Sequence, residues 1–384
     1  MESGAATRQW SGAGARRRRR PDGPTRLRRI ALVAALVVLV PASVSYVNAM
    51  RQPSNSSLGI RTVEWLRDHG GAGLVAKVES VYYTLTAPSK GGPTLSALPQ
   101  VGVAGGAAAL ASEFRPPRVH PILHPALPGE GVWHATRPGL EAHPPVLVTT
   151  LRNQPEYPRV VAGLAWINTK RATVTLHPGR LEPAVSLPRG SMEVPSEARP
   201  RLIASFNSGF KLGDSRGGFA IAGHTYAPLS NGQGTLVGYS DGRVDVVNWT
   251  QGATVPTGVS FARQNLPLIV NEGQPSANVS NSSAWGATVG NAVLVWRSGI
   301  GVDSSGNLIY AAGEDQTVES LARTLVRAGA VRAMELDINS YWVSFINYGA
   351  PGAEEPKNLL PTMSRSATRY LEPDDRDFFT VYSR

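Results

Sequence analysis

Residues 292–338 read AVLVWRSGIGVDSSGNLIYAAGEDQTVESLARTLVRAGAVRAMELDI, and this stretch decides the fold. Two β-rich runs, 292–303 and 308–313, flank the sequence SSGN at 304–307, which is typical of a hairpin turn. A third run, VRAMEL at 331–336, has the same character and follows a helical pattern. The stretch therefore predicts a hairpin, a helix and a returning strand.

The helix between these strands is predicted from the run QTVESLARTLVRAGA. Either Asp315 or Thr317 is suited to cap its start, and Gly329 is suited to end it. Its apolar residues recur at helical spacing, so one face of the helix should be buried. These residues are Val318, Leu321 and Leu325.

The rest of the chain from residue 146 onward has the same β-rich pattern. Short runs such as VLVTTL, RVVAGLAWI, RLIASF and GTLVGYSDGRVDVVNW are separated by Gly, Asn and Asp turns. A strand-rich body with few helices predicts the α+β class, which we expect as a mixed sheet.

The N-terminal region combines a basic tail with an apolar run. Residues 1–29 hold nine arginines and two acids, which leaves only +3 of the net charge of +10 for the remaining residues. Residues 30–50 carry no charge and are long enough to cross a bilayer as a helix. The arginines therefore act as a topology signal, and a nucleic-acid partner is not expected.

Positive-inside orientation places the N-terminus in the cytoplasm and everything from Arg51 outside the cell membrane. A single-pass anchor that contacts membrane lipid through residues 30–50 is the favoured interpretation. A cleaved signal peptide is the alternative, because Pro41 ends the strongest apolar run and Ala49 lies in a small-residue cleavage sequence. Either outcome exports the rest of the chain.

The sequence divides into six predicted regions. The cytoplasmic tail (1–29) and the anchor (30–50) come first. They are followed by a juxtamembrane segment of helical or strand character (51–87) and a Pro/Gly-rich linker or loop (88–145). The main domain (146–349) and a C-terminal tail (350–384) with a final strand at 378–382 complete the chain.

Cysteine chemistry is excluded, since the chain has no cysteine. The histidines of the linker lack the spacing and carboxylate neighbours of a zinc site, apart from His120 and His124, which prolines interrupt. We expect neither a metal nor a cofactor. The abundance of Ala, Gly, Arg and Pro is typical of GC-rich genomes and indicates an actinobacterial source.

The motifs SFNSGF, LPLIVNEG and WRSGIGV occur in this order within residues 200–345. They resemble motifs of the phosphodiester glycosidase family. SFNSGF is similar to the family's Asn-Gly-Gly-Phe-Phe turn, LPLIVNEG to its strand ending in Asn and Gly, and WRSGIGV to its Arg-Thr-Ala-Ile-Gly strand. VESLARTLVRAGA is similar to the helix that follows. LDINS at 336–340 matches the family's Leu-Asp-Gly-Gly-Gly-Ser signature in part, with Ile338 and Asn339 in place of two glycines.

The resemblance implies a hydrolase that removes a sugar from a phosphodiester, so the expected partner is a carbohydrate or sugar-phosphate substrate. Such chemistry usually needs two carboxyl groups. Asp337 follows a predicted strand and is our first candidate. Glu335, two residues earlier on the same strand face, is the second.

Four further residues are candidates for substrate binding. Arg297 offers a bidentate fork for phosphate or sugar hydroxyls. Asn207 and Gly209 lie on the SFNSGF turn, and Ser340 closes the partial signature. Together with the N-terminal anchor, the resemblance implies an exported, membrane-anchored, glycosidase-like hydrolase. The alternative is a catalytically inactive relative that binds or organises cell-wall polysaccharide, which the missing glycines favour.

Overall fold

The computed structural model describes residues 23–103, 115–140, 142–185, 190–281, 285 and 294–384. The chain forms two compact units, Met1–Gln52 and Pro53–Arg384. The first unit contains helix α1 (Gly23–Arg51). Within its segment Thr25–Arg51 the most apolar 18-residue window has a mean hydropathy of 2.4, so the helix is long and apolar enough to cross a membrane. A signal sequence near an N-terminus has the same properties. Most of the arginine-rich tail lies outside the described residues.

The second unit begins with helices. α2 (Leu58–Leu66) passes through a wide turn of π-helix, Arg67–Gly71, into α3 (Ala72–Thr86). Ser57 caps α2 by accepting a hydrogen bond from the Ile60 N–H. The run VAKVESVYYTL, whose pattern allowed a helix or a strand, is therefore helical. The other helices are α4 (Leu212–Ser215), α5 (Val318–Arg327) and the short 3-10 turns Ser196–Arg201 and Arg369–Leu371.

The strands of the described residues assemble into three sheets, and every pairing among them is antiparallel. The α+β class is thus confirmed, while the mixed sheet expected from the sequence is replaced by antiparallel sheets. The described strands are β1 (His134–Ala135), β2 (Val146–Arg152), β3 (Val161–Ile167), β4 (Ala172–His177), β5 (Leu202–Asn207), β6 (Phe219–Ile221), β7 (His224–Ala227), β8 (Gly234–Tyr239), β9 (Val244–Asn248), β10 (Val259–Gln264), β11 (Leu268–Asn271), β12 (Gln274–Pro275), β13 (Val295–Asp303), β14 (Leu308–Gln316), β15 (Ala330–Glu335), β16 (Phe345–Ala350), β17 (Glu354–Asn358) and β18 (Phe378–Ser383). Their orders are β1-β2-β3-β14-β13-β15-β11-β12, β7-β6-β10-β8-β9 and β17-β16-β5-β18-β4.

The hairpin–helix–strand unit predicted from residues 292–338 is confirmed. β13 pairs with β14 on one side and with β15 on the other. Helix α5 begins with a reciprocal capping box between Thr317 and Ser320, so Thr317 rather than Asp315 is the cap. Gly329, with φ of +103°, follows its end. The buried stripe of α5 packs on this sheet with residues of β11, β14 and β15.

The large core lies between the first sheet and the other two. It joins apolar side chains of β3, β13 and β14 to those of β5, β16 and β18. Its centre contains packed aromatic rings: Phe206 stacks on Phe379 at 5.2 Å and lies tilted against Tyr310 at 5.5 Å between ring centroids. This packing brings the end of β5 against the middle of β13 and the end of β15, where the candidate site is found.

Candidate functional site

Asn207, the last residue of β5, connects the sheets at the site. Its Oδ1 accepts hydrogen bonds from the Tyr310 hydroxyl at 2.9 Å and from the Ser344 N–H at 3.0 Å. Its Nδ2 donates to Ser298 Oγ at 3.0 Å and to the Ser208 carbonyl at 2.8 Å. All four hydrogen-bonding positions of the amide are therefore occupied, and a sugar hydroxyl would have to displace one of these partners.

Ser298 carries the connection onward to Asp337. The backbone N–H of Asp337 donates to Ser298 Oγ at 3.1 Å, and the Ser298 N–H donates to the Asp337 carbonyl at 2.9 Å. The structure thus brings Asn207 and Asp337 together through one serine. Ser298 belongs to the WRSGIGV motif, so its place in the strand was visible in the sequence but its role as a bridge was not.

The Asp337 carboxyl is buried, with 4% of the residue exposed. Its Oδ1 accepts a hydrogen bond from the Asn339 N–H at 2.9 Å, and its Oδ2 lies 3.6 Å from Arg376. Burial raises the pKa of Asp337 to about 6, against the lowering effects of Arg376 and of the backbone N–H groups of Asn339 and Ile338. This carboxyl can therefore gain and lose a proton near neutral pH.

The loop after Asp337 replaces the expected glycines without left-handed backbone. Neither Ile338 nor Asn339 is among the residues with positive φ. Asn339 instead supports the turn, because its Oδ1 accepts from the Tyr341 N–H at 2.9 Å while its carbonyl accepts from the Trp342 N–H at 2.9 Å. Ser340 is half-buried on this loop, and its carbonyl accepts from Ser364 Oγ at 2.9 Å.

Glu335 and Arg297 form a sealed ion pair behind Asp337. Arg297 Nη1 lies 2.5 Å from Glu335 Oε1, and neither side chain is exposed. Arg297 Nε also donates to the Gln316 carbonyl at 3.0 Å. Burial raises the pKa of Glu335 to about 7 although Arg297 opposes this, and the nearby Asp337 raises it further. The pair fixes the strand ends from which the site is built.

Arg376, which the sequence reasoning did not identify, is the cation that lies directly at Asp337. Its Nη2 donates to the Gly209 carbonyl at 2.8 Å, and its guanidinium lies 5.2 Å from the centroid of the Trp342 ring. Its Nε has no hydrogen-bond partner within the part of the chain that the structure describes. The charge-dense run DDRD that precedes β18 was the only sequence signal for it.

The turn after Asn207 is clamped on two sides. Arg263, ion-paired to Asp377 at 2.6 Å, donates to the Phe210 carbonyl at 2.6 Å, next to the Arg376 bond on Gly209. A Cβ on Gly209 would lie 3.0 Å from the Asn265 side chain, so a larger residue would press against that side chain. Asn265 in turn donates to the Glu335 and Leu336 carbonyls at 2.7 and 2.8 Å, which ties the turn to the end of β15.

Helix α2 and the residues before it lie over the site. The Glu64 carboxylate contacts Lys211, which follows the Gly209 turn. Burial would raise the pKa of Glu64, but Lys211, Arg67 and Arg376 together hold it below its ordinary value. The negative charge of Glu64 also raises the pKa of Asp337, so the two carboxyls interact electrostatically.

The segment before α2 is hydrogen-bonded to Asp374 and Asp375 near the C-terminus. Ser54 and Ser56 donate to Asp375 Oδ2 at 2.5 and 2.7 Å. Asn55 donates to Asp374 Oδ2 at 3.0 Å, and the Ser57 N–H donates to the Tyr341 hydroxyl at 3.2 Å. The predicted juxtamembrane segment is therefore part of the site.

Among the described residues, no three His, Asp or Glu side chains are arranged to hold a metal ion. The electrostatics of the site come instead from carboxyls, arginines and one lysine. Glu335, Asp337 and Glu64 interact with Arg297, Arg376 and Lys211 respectively.

No family model matches the chain, and no curated protein matches it. Among solved structures it is weakly similar to the zebrafish N-acetylglucosamine-1-phosphodiester alpha-N-acetylglucosaminidase catalytic domain, auto-inhibited by its pro-peptide. That match has 16% identity, a TM-score of 0.43 and coverage of 63% of this chain and 84% of the other. A hypothetical protein from Synechocystis matches with 14% identity and a TM-score of 0.38, over 62% of each chain. An exported protein of Burkholderia pseudomallei matches with 10% identity and a TM-score of 0.29, over 60% and 75%.

Proposed function

We propose that this protein is an exported, membrane-anchored hydrolase that cleaves the bond between a sugar and phosphate in a phosphodiester or a related envelope glycan. One observation carries the proposal: Asp337, a buried carboxyl with a pKa of about 6, lies 3.6 Å from the Arg376 guanidinium. A proton-transfer group next to an anion-binding cation is what this reaction needs. The resemblance of the sequence motifs to phosphodiester glycosidases supports the same chemistry.

In the proposed reaction Asp337 acts as the base. A water oxygen forms a bond with the anomeric carbon while its proton passes to Asp337, and the electron pair of the broken carbon–oxygen bond leaves with the phosphate. A phosphate monoester is already a good leaving group, so cationic stabilisation matters more than an acid. Arg376 supplies it, and Lys211 is the second cation on the same side.

Glu335 and Arg297 support the site from behind. Because both side chains are fully buried against each other, we assign Glu335 an electrostatic influence on Asp337 rather than contact with the sugar. Asn207, Gly209 and Ser340 belong to the turn and the loop that lie on either side of Asp337. Carbohydrate is thus the proposed partner of this surface.

A second candidate function is glycan binding without catalysis. It is favoured by the position of Glu64, whose carboxylate already contacts Lys211 where a substrate phosphate would bind. In this alternative α2 would stay in place, and polysaccharide would bind the outer rim of the site.

Turnover of a model sugar-1-phosphodiester by the purified full chain distinguishes the two. We expect release of the phosphate monoester, loss of this activity in Asp337→Asn, and retention in the control Asp241→Asn, which alters an exposed hairpin turn. Polysaccharide binding with no turnover, equal in wild type and Asp337→Asn, would support the binding function and reject the enzyme.

A further inference from the structure

Large apolar side chains that face solvent are concentrated on α2 and α3 in the second unit. Among the described residues of this unit eight such side chains are exposed, and six of them lie on these two helices. The six are Leu58, Leu74, Val78, Val81, Tyr82 and Leu85, and the other two are Ile122 and Leu181. Single exposed apolar residues are ordinary on a protein surface, whereas a concentration of them marks a contact surface.

Five of these side chains share one face of α3. With 3.6 residues per turn they fall within an arc of about 100° around the helix, and no charged residue of α3 falls within the same arc. Their exposed fractions range from 59% to 80%. We call this set the apolar stripe of α3, and its members are Leu74, Val78, Val81, Tyr82 and Leu85.

The other side of α3 is attached to the protein. Val75 is buried, and the Glu79 carboxylate forms an ion pair with Arg67. Arg67 Nη1 also lies 3.2 Å from Glu64 Oε1 on α2. Because these contacts hold one side of α3, its apolar stripe is turned toward the solvent.

The length of the chain brings this region close to the membrane surface. Only Gln52 and Pro53 separate the end of α1 at Arg51 from Ser54, which donates a hydrogen bond to Asp375. Three residue steps span about 11 Å at most. With α1 in the bilayer, the surface that holds Ser54 therefore stays near the lipid headgroups, and α2 begins four residues further on.

The chemistry of α3 fits a helix that lies in the plane of a membrane interface. Leucine and valine side chains enter the boundary between headgroups and acyl chains, and the Tyr82 ring offers an apolar body with a polar hydroxyl for the headgroup level. Lys77 is exposed beside the stripe, where its ammonium group can reach lipid phosphates. The carboxylate of α3, Glu79, lies on the opposite side with Arg67.

We propose that the apolar stripe of α3 rests in the lipid interface of the membrane that α1 crosses, as a second contact between this protein and the bilayer. The proposal rests on the membrane anchoring proposed above and is independent of the hydrolase activity. Arg67 joins α3 to Glu64 of α2, which contacts Lys211 at the candidate site. The lipid contact therefore fixes the orientation of that site relative to the membrane.

Site-directed spin labelling tests the proposal, because the chain has no cysteine and each variant carries a single nitroxide. The full chain is reconstituted in vesicles of phosphatidylcholine and phosphatidylglycerol. Val81→Cys and Leu85→Cys label the stripe, Thr84→Cys labels an exposed position outside the stripe on the same helix, and Asp241→Cys labels an exposed hairpin turn.

Power saturation then measures the accessibility of each label to oxygen, which is enriched in lipid, and to a water-soluble nickel complex. We expect the ratio of oxygen to nickel accessibility to be at least about threefold higher for Val81→Cys and Leu85→Cys than for Thr84→Cys and Asp241→Cys. Tryptophan fluorescence during denaturant unfolding checks that each labelled variant is folded.

Flotation of the vesicles separates this proposal from the anchor on which it rests. A chain that does not float with the vesicles contradicts both the anchor and the lipid contact. A chain that floats while the Val81→Cys and Leu85→Cys labels match Asp241→Cys contradicts the lipid contact alone. Labels shielded from both reagents, with dipolar coupling between two chains, would assign the stripe to a second copy and overturn the proposal.

Discussion

Asp315 lies at the end of β14 and Asp337 follows the end of β15, two strands of one sheet that are separated by β13. Burial is the main cause that raises the pKa of each carboxyl to about 6. The charges of the side chains next to these two carboxyls have opposite signs. Arg376 lies 3.6 Å from Asp337 and opposes the rise, whereas Glu314 adds to it at Asp315. A raised pKa therefore does not by itself define a function. The charge beside the carboxyl decides whether an anionic substrate is attracted to it, and only Asp337 has a cation beside it.

The largest effect should come from removing the proton acceptor. Asp337→Asn should lower kcat for a sugar-1-phosphodiester by about 10²- to 10⁴-fold, because proton transfer in the transition state is lost. Asp315→Asn should leave kcat within twofold. Initial rates of phosphate monoester release measure both variants, and a comparable loss in both would show that the loss in Asp337→Asn does not come from its proton transfer.

A smaller effect should come from removing the cation beside Asp337. Arg376→Gln should lower kcat/KM about 10- to 100-fold, since a charge-assisted contact to the phosphate is lost. It should also raise the pKa of Asp337, because Arg376 holds that pKa down. The acid limb of the rate profile should move to higher pH, and a profile that stays in place would show that Arg376 does not act on Asp337.

Glu64 of α2 allows a test of whether a carboxylate next to Lys211 competes with the substrate. Glu64→Gln removes the carboxylate that a substrate phosphate must replace on Lys211, so KM should fall about fivefold with kcat unchanged. The matched control is Glu79→Gln on α3, which loses a contact with Arg67 but none with Lys211. Michaelis constants that rise in Glu64→Gln would mean that Glu64 assists substrate binding.

The smallest effect concerns stability at Asp315. Its folded pKa lies above its unfolded value, so stability falls as pH rises between about 4 and 6. Asp315→Asn should therefore be more stable than wild type by about 1 kcal/mol at pH 7.5, after allowance for solvent screening. At pH 4 the two should be equal. Denaturant unfolding at both pH values measures this, and an equal gain at pH 4 would rule out the charge as its cause.

The features that depend on local chemistry could be predicted from the sequence. The hairpin of β13 and β14, helix α5 and its Gly329 ending follow from turn residues and helical periodicity, which act over a few positions. Asp337 and Asn207 were likewise found through short motifs. Their functional roles, the domain boundaries, the membrane orientation and the actinobacterial source stay predictions.

The remaining parts depend on contacts that no local pattern encodes. Ser54 and Asp375 are hydrogen-bonded although 321 positions separate them, and Arg376 reaches Gly209 across 167 positions. Sheet order depends on long-range packing in the same way, which is why antiparallel sheets were taken for a mixed one. Arg297 offered the same guanidinium chemistry as Arg376, and only the fold shows that Arg297 is sealed against Glu335.

The most direct test of the proposed hydrolase is the pH dependence of kcat/KM for a sugar-1-phosphodiester, measured on the full chain between pH 4 and pH 8. The ionised form of Asp337 is the proposed base, so activity should fall as pH drops through about 6. The residual activity of Asp337→Asn should lack this limb. Absence of turnover at every pH, or the same limb in Asp337→Asn, would contradict the account.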